Sequence, residues 1–410
     1  MSIVHSQKHT FLRLLAELRP LMRKEAGLPA RIEAILRRER GLGSRDRRLY
    51  RELFYTFLRY LPWLENGTDD MIVSRVAALC AELPATRPFR EAWANAAGLD
   101  GLEKTALLPE WFKAECPEAF EEPLLGVLLS RAPLWLRVQT DDDGEIQREF
   151  SGLGRTLERS DVLPCALRMR MEADVTRTAS YEQGAFEIQD LGSQMILEAC
   201  GIEPGARWLD ACAGAGGKTL QLARLLGPEG QIDAQDIRPA ALEELAHRAA
   251  RAGAKVDAAD GVLPRNRMPP ATSSRGVMAE IHLRGEPVGT YDGVLVDAPC
   301  SGTGTWRRFP HLKWTTMHKT VARLARLQTE LLARFSASVR PGGRLIYATC
   351  SLCRSENEAI VASFLETHRD FSLRPFKHVF RLKPRDGTLT VSPSAHDTDG
   401  YFVASMERAG

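Results

Sequence analysis

From residue 186 onward, short apolar runs alternate with amphipathic segments, and this rhythm constrains the fold more than any other feature of the chain. "ARWLDACAG" runs into a glycine-rich turn and the helical segment "KTLQLARLL", and "GQIDAQDI" leads into "PAALEELAHRAARAGA". "KVDAAD", "YDGVLVDAPC" and "GGRLIYATC" follow, the last two separated by a helical segment around "TVARLARLQTELLARFSASV". Strands and helices in this order predict an α/β domain with a mostly parallel, doubly wound, Rossmann-like sheet, since each parallel crossover needs a helix to return the chain. Ligands of such sheets bind beyond the carboxyl ends of the strands. Residues 261–290, rich in Pro, Arg and Ser, interrupt the rhythm and read as an enlarged loop with room for a hairpin.

The 410 residues exceed one ordinary domain, and the text before residue 186 has a different texture. Residues 1–130 read as helical: Leu49, Leu53, Phe54, Phe57, Leu58 and Leu61 recur at helical spacing, with Arg51 and Arg59 off the stripe and Ser44 as N-cap. Residues 131–185, with "PLWLRVQ" and "CALRMRM" as strands, read as a small α+β module, which leaves 186–410 as the α/β domain. Net charge is only +2, yet residues 1–60 hold 14 Lys/Arg against 6 Asp/Glu. Such a segment is either a solvated helix face or a surface that neutralises phosphates. No apolar run is long enough to span a bilayer, "MSIVHSQKHTFLRLL" lacks a secretory layout, and eight cysteines suit a reducing compartment. A cytoplasmic protein without a membrane partner is the expectation.

The first strand feeds "LDACAGAGGKT", where Gly214, Gly216 and Gly217 allow a tight turn and close approach of a ligand. Gly217-Lys218-Thr219 imitates the end of a phosphate-binding P-loop, but that motif needs a glycine where Cys212 stands. Asp236 ends the second strand, where an acid would hold a ribose hydroxyl pair, in a nicotinamide dinucleotide as well as in other adenosine cofactors. Asp260 ends the third and Asp297 the fourth. Each Asp alone reads as a cap, whereas three in register beside one glycine turn favour an adenosine-containing cofactor.

Cys300 and Cys350 stand at the tips of the fourth and fifth strands. Neighbouring strands lie ~4.8 Å apart, so both sulfurs can face one ligand. Cys80, Cys116, Cys165 and Cys200 read instead as small core residues. Cys350 and Cys353 form a C-x-x-C pair, but no second ligand pair suits zinc and the setting does not suit a thioredoxin-type site, so no metal is expected. A thiolate beside an Asp and an adenosine cofactor fits alkylation of a pyrimidine at C5. Addition of the thiolate at C6 makes the ring an enamine able to attack an electrophilic methyl group. A proton retained on Asp297 would support the charge developing at N3.

"DAPCSGTGTWRRFPHLKW" and "YATCSLCRSENE" resemble the paired signatures of the Sun-type (Fmu-type) RNA cytosine-5 methyltransferases. "QDLGSQ", "LDACAGAGGKT" and "DTDGYFVA" resemble that family's other motifs in the right order, over residues 186–410. "DRRLYRELFYTFLR" resembles the NusB-like RNA-binding domain of the bacterial 16S rRNA small-subunit methyltransferase B group. The resemblance implies a class I methyltransferase domain that uses S-adenosylmethionine and releases S-adenosylhomocysteine. It implies Cys350 as the attacking nucleophile and Cys300 as an aid to product release. Cys212, Ala213, Gly214, Ala215, Gly216, Gly217, Lys218, Asp236, Asp260 and Asp297 would line the cofactor site, with Lys218 and Asp297 also approaching the base. The implied partner is RNA, small-subunit rRNA first, with no DNA, and the implied state is a monomer. The same chemistry on tRNA, a non-catalytic ribosome-assembly factor and a nicotinamide dehydrogenase are the rival readings. This chain departs from the family pattern at Gly214-Ala215, at Ala241 (with Arg238 as a substitute cation), at His311 and at Arg354.

Overall fold

A computed structural model of the chain describes residues 2–169, 174–263, 278–385 and 387–410. The chain forms two compact units, one running to Arg131 and taking in Thr305–His318, the other comprising Ala132–Gly304 and Lys319–Gly410.

The first unit is helical. Its helices Ile3–Leu18, Leu28–Arg38, Ser44–Arg59 and Asp69–Leu79 bury one apolar stripe each around Phe11, Ile32, Leu53, Phe54, Phe57 and Val76. All six apolar positions expected on the Ser44–Arg59 stripe and its extension are buried. The cap lies one residue earlier than expected, because Gly43 N donates to Asp46 Oδ2 at 3.2 Å. Arg13, Arg23, Arg38 and Arg51 pair with Glu39, Glu65, Glu17 and Glu33, so part of the arginine excess is neutralised within the unit. Arg59 is not on a solvated face. It is buried, and its guanidinium donates to Arg307 O at 2.9 Å, because the segment Thr305–His318 covers it.

That segment is built into the unit's core. The Trp306 and Phe112 rings lie 4.6 Å apart, and Trp314 Nε1 donates to Leu58 O at 2.6 Å. Lys313, fully buried, donates to Arg59 O at 2.8 Å and Leu107 O at 3.2 Å.

The second unit holds two sheets. Strands β1 (Leu134–Val138), β2 (Glu158–Arg159), β3 (Ala166–Met169) and β4 (Phe186–Ile188) form an antiparallel sheet in the order β2-β3-β1-β4. Leu136, Phe150, Leu167 and Phe186 pack in its core. Phe186–Ile188 therefore closes the small sheet rather than opening the catalytic one.

The larger sheet contains β5 (Arg207–Asp210), β6 (Gln231–Ala234), β7 (Val256–Ala258), β8 (Glu280–Leu283), β9 (Tyr291–Asp297), β10 (Val339–Thr349), β11 (Phe371–Leu373), β12 (Thr388–Val391) and β13 (Tyr401–Arg408). Its order is β11-β13-β10-β9-β5-β6-β8-β7, with β12 also pairing β13. The six strands from β10 to β7 are parallel, and β13 runs antiparallel at the other side. This is the mostly parallel, Rossmann-like arrangement the rhythm predicts. One strand differs: β8 lies within the stretch expected to be a loop, and it separates β6 from β7. Residues 264–277 of that stretch lie outside the described residues. Among the described residues no helix is long and apolar enough to cross a membrane.

Candidate active site

The carboxyl ends of β5, β6, β9 and β10 form the floor of the site, with Asp210 beside Leu295 and Ala234, and Asp297 beside Ala348. After Asp210 the chain turns through residues 211–216 into the helix Gly217–Leu226. The turn is fastened to β6: Ala213 N donates to Gln235 O at 2.8 Å and Gly214 N to Asp236 Oδ2 at 2.9 Å. Gly216 has φ +86°, and a Cβ there would stand 2.7 Å from Leu245 Cγ, so both conformation and space demand glycine.

Lys218, in the first turn of this helix, is buried and donates to Asp297 Oδ2 at 2.8 Å. Burial opposes its charge, but Asp297 and, less strongly, Cys350 outweigh that and raise its pKa, so Lys218 is a cation here.

Asp236 accepts from Gly214 N and, through both carboxylate oxygens, from Arg238 Nε and Nη2 at 2.9 and 3.0 Å. Burial pushes its pKa up, yet Arg238 prevails and holds it below the usual value. The neighbouring Ile237 is 92% exposed, an apolar surface beside an acid that the sequence alone did not single out. Asp260, beyond β7, is exposed and lies on the far side of β8 from Asp236. The three carboxylates are thus not on consecutive strands of the sheet.

The sequence reading missed Asp210. Its Oδ2 accepts from Thr219 Oγ1 at 2.7 Å, while Oδ1 is buried with no partner among the described residues. Burial, with help from Asp297, pushes its pKa up to about 7. Cys212 lies among the acids: burial first, then the charges of Asp210, Asp297 and Asp236, push its thiol well up, so it stays protonated. A cradle of glycine backbone, Asp236 for hydroxyls and an unpartnered Asp210 oxygen for a cation is compatible with S-adenosylmethionine, which carries a ribose and an ammonium. In sequence, Asp210 differs in no way from a capping Asp.

Cys300 and Cys350 come together as expected, Sγ to Sγ at 3.4 Å. The hydrogen bond to Cys350, then burial, the charge of Cys350 and, after it, that of Glu356 push the Cys300 thiol up. Cys353, the second cysteine of the C-x-x-C pair, is buried beneath them against Ser301 and Thr303 hydroxyls. Gly304 N donates to Cys350 O at 3.0 Å, and Gly400 N to Gly304 O at 2.8 Å; a Cβ on Gly304 would overlap Gly400 O. Asp190 of "QDLGSQ" accepts from Gly192 N, Thr398 Oγ1 and Asp399 N, tying that motif to "DTDG". These two motifs are scaffold, holding the loops that carry the cysteines.

Comparison with known proteins bears on this geometry. A family model described as 16S rRNA methyltransferase RsmB/F matches residues 197–407. A Synechocystis protein named probable ribosomal RNA small subunit methyltransferase B is 30% identical over 313 residues, 73% of this chain and 67% of that protein. The Enterobacter ribosomal RNA small subunit methyltransferase B is 31% identical, over 74% of this chain and 67% of its own length. Among solved structures, PH0851 superposes with a TM-score of 0.70 at 23% identity, covering 95% of this chain and 96% of that one. NSun6 from Pyrococcus horikoshii with SFG gives 0.61 at 18% identity, covering 75% and 98%.

Proposed function

The chain belongs to the RsmB/F family of 16S rRNA methyltransferases, and from that premise we propose that it forms 5-methylcytosine in small-subunit rRNA by thiolate addition of Cys350. The observation that carries this reading is the pair of sulfurs 3.4 Å apart beside the Lys218–Asp297 pair. S-adenosylmethionine, when bound, supplies an electrophilic methyl group. Asp210, the 212–217 turn and Asp236 would hold it.

Cys350 attacks C6 of the cytosine, and Lys218 brings a positive charge towards both Cys350 and Asp297. Asp297 has one oxygen engaged by the Lys218 ammonium, and this pair faces the charge that develops at N3. The second Asp297 oxygen then accepts from the exocyclic amino group. Once C5 carries the methyl group, release passes the C5 proton to water, the C5–H electron pair restores the C5=C6 double bond, and the C6–S pair returns to the Cys350 sulfur. Cys300, which keeps its proton, assists by donating to that departing sulfur. The helical unit, with its remaining arginines, would supply phosphate contacts.

The test is Cys300→Ala protein mixed with S-adenosylmethionine and unmodified small-subunit rRNA, or with tRNA in a parallel reaction. An SDS-resistant protein–RNA band with rRNA that vanishes in the Cys300→Ala/Cys350→Ala variant is expected. A band with tRNA alone moves the substrate, and Cys350→Ala protein that still transfers methyl groups overturns the nucleophile assignment.

A further inference from the structure

Beneath the two cysteines lies a carboxylate that the chemistry above does not use. Glu356 sits in the short turn Arg354–Glu356, fully buried, and no cation pairs with it among the described residues. A buried charge without a counter-ion persists only where hydrogen-bond donors replace its hydration. Glu356 has four. Ser301 donates through its backbone N at 2.8 Å and through its hydroxyl, Ser351 Oγ donates at 2.5 Å, and Gln328 Nε2 donates at 3.0 Å.

The origin of these donors is informative. Ser301 follows Cys300 and Ser351 follows Cys350, so one carboxylate clasps the residues adjoining both sulfurs. Gln328, from the helix His318–Ser336, also donates to Pro299 O at 2.9 Å, which fixes the other side of Cys300. The Cys350 loop has anchors of its own. Ser351 N donates to Thr349 Oγ1, Asn357 Nδ2 donates to Ser351 O at 2.9 Å, and Leu352 N donates to Thr303 Oγ1 at 2.8 Å. Ser301 gives Glu356 two hydrogen bonds, where Ser351 gives one.

We propose that Glu356 is the positioning residue of the cysteine pair, holding the Cys300 loop so that its thiol stays aimed at the Cys350 sulfur during product release. The proposal rests on the two-cysteine reading given above. Glu356 touches neither base nor cofactor and acts through Ser301. Its negative charge also contributes, after the Cys350 hydrogen bond, burial and the charge of Cys350, to keeping the Cys300 proton in place.

A residue needed only for folding would lower stability and every step together. A positioning residue leaves addition intact and slows release, so covalent protein–RNA complex accumulates. Glu356→Gln preserves shape and can still accept from Ser301 N, but it sets an amide NH2 against the two serine hydroxyls. Its multiple-turnover rate is expected to fall on the order of 10²-fold with S-adenosylhomocysteine affinity within about twofold of wild type. Ser301→Ala, which removes one hydroxyl link and no charge, is expected to fall roughly tenfold. Both are expected to give an SDS-resistant band with rRNA, as Cys300→Ala does. Wild-type turnover without a band in Glu356→Gln overturns the proposal, and so does loss of rate together with cofactor affinity and melting temperature. Where Cys300→Ala traps RNA and Glu356→Gln does not, only the positioning role fails. Where neither traps, the two-cysteine reading fails and takes this proposal with it.

Discussion

Replacing Asp210 with Asn tests whether the buried carboxylate at the tip of β5 is the counter-charge for the cofactor's ammonium. Burial lifts Asp210 from an ordinary 3.8 to about 7. Its folded pKa therefore lies above its unfolded one. The stability it contributes is complete below pH ~4 and is lost as pH rises through about 7. At ~1.4 kcal/mol for each tenfold change in proton affinity, the gap between 3.8 and about 7 amounts to ~4 kcal/mol of stability lost by the cofactor-free protein over that window. An ammonium placed on the unpartnered Oδ1 reverses the balance and favours the ionised carboxylate. Affinity for S-adenosylhomocysteine is then expected to climb by up to tenfold per pH unit from about pH 5 to 7 and to level off above about 8. Calorimetric titration across that range reads this directly. In Asp210→Asn the profile flattens and binding at the alkaline end weakens roughly ten- to a hundredfold. The cofactor-free variant melts higher than wild type there, because a buried, unpaired charge is gone. A flat wild-type profile, or the same slope in Asp210→Asn, refutes the reasoning.

Three further perturbations address other parts of the site. Gly216→Ala forces an L residue into φ +86° and drives its Cβ against Leu245, for a combined cost of ~2–4 kcal/mol. Thermal melts with and without S-adenosylhomocysteine should show lower stability and weaker ligand protection, and an unchanged melt would count against the geometry of the turn. Diamide should join Cys300 to Cys350, whose sulfurs need only close from 3.4 Å to ~2.05 Å, with diamide reduced to its hydrazine. Activity should disappear and return with dithiothreitol; peptide mapping that finds Cys350 bonded to Cys353 instead would contradict the arrangement. Lys218→Met leaves Asp297 without its cation, and single-turnover methyl transfer is expected to drop on the order of 10²–10³-fold. Transfer within about twofold of wild type would reduce the pair to a structural role.

The parts of the site legible in the sequence are those where one residue type answers a local backbone demand. Gly214 and Gly216 announce a turn because few other residues take positive φ, and Cys300 and Cys350 announce themselves because each ends an apolar run. Partnerships across long separations leave no such trace. Glu356 meets Ser301 across 55 residues, and neither letter is unusual where it stands. Strand β8, "EIHL", is short and alternates polar with apolar, so it vanishes inside a stretch dominated by Pro, Arg and Ser. Helical spacing sets Arg59 off the apolar stripe, which in an isolated helix would leave it in water. A segment nearly 250 residues away covers it.

That same segment shows how a motif continuous in sequence divides by role. "DAPCSGT" and Gly304 belong to the catalytic unit, whereas Thr305–His318 belongs to the helical one. Beyond Gly304 its side chains do core work: Trp306 packs on Phe112, Lys313 hydrogen-bonds backbone carbonyls, and Arg307 donates to Ser130 Oγ and Arg131 O. His311, where the family pattern carries an acid, is buried in this core, and burial lowers its pKa to about 4, so it is neutral near pH 7. Near it, within the same unit, buried Lys313 donates to Arg59 O and Leu107 O, and buried Arg59 donates to Arg307 O. His311 thus falls outside the unit that holds Cys300, Cys350, Lys218 and Asp297.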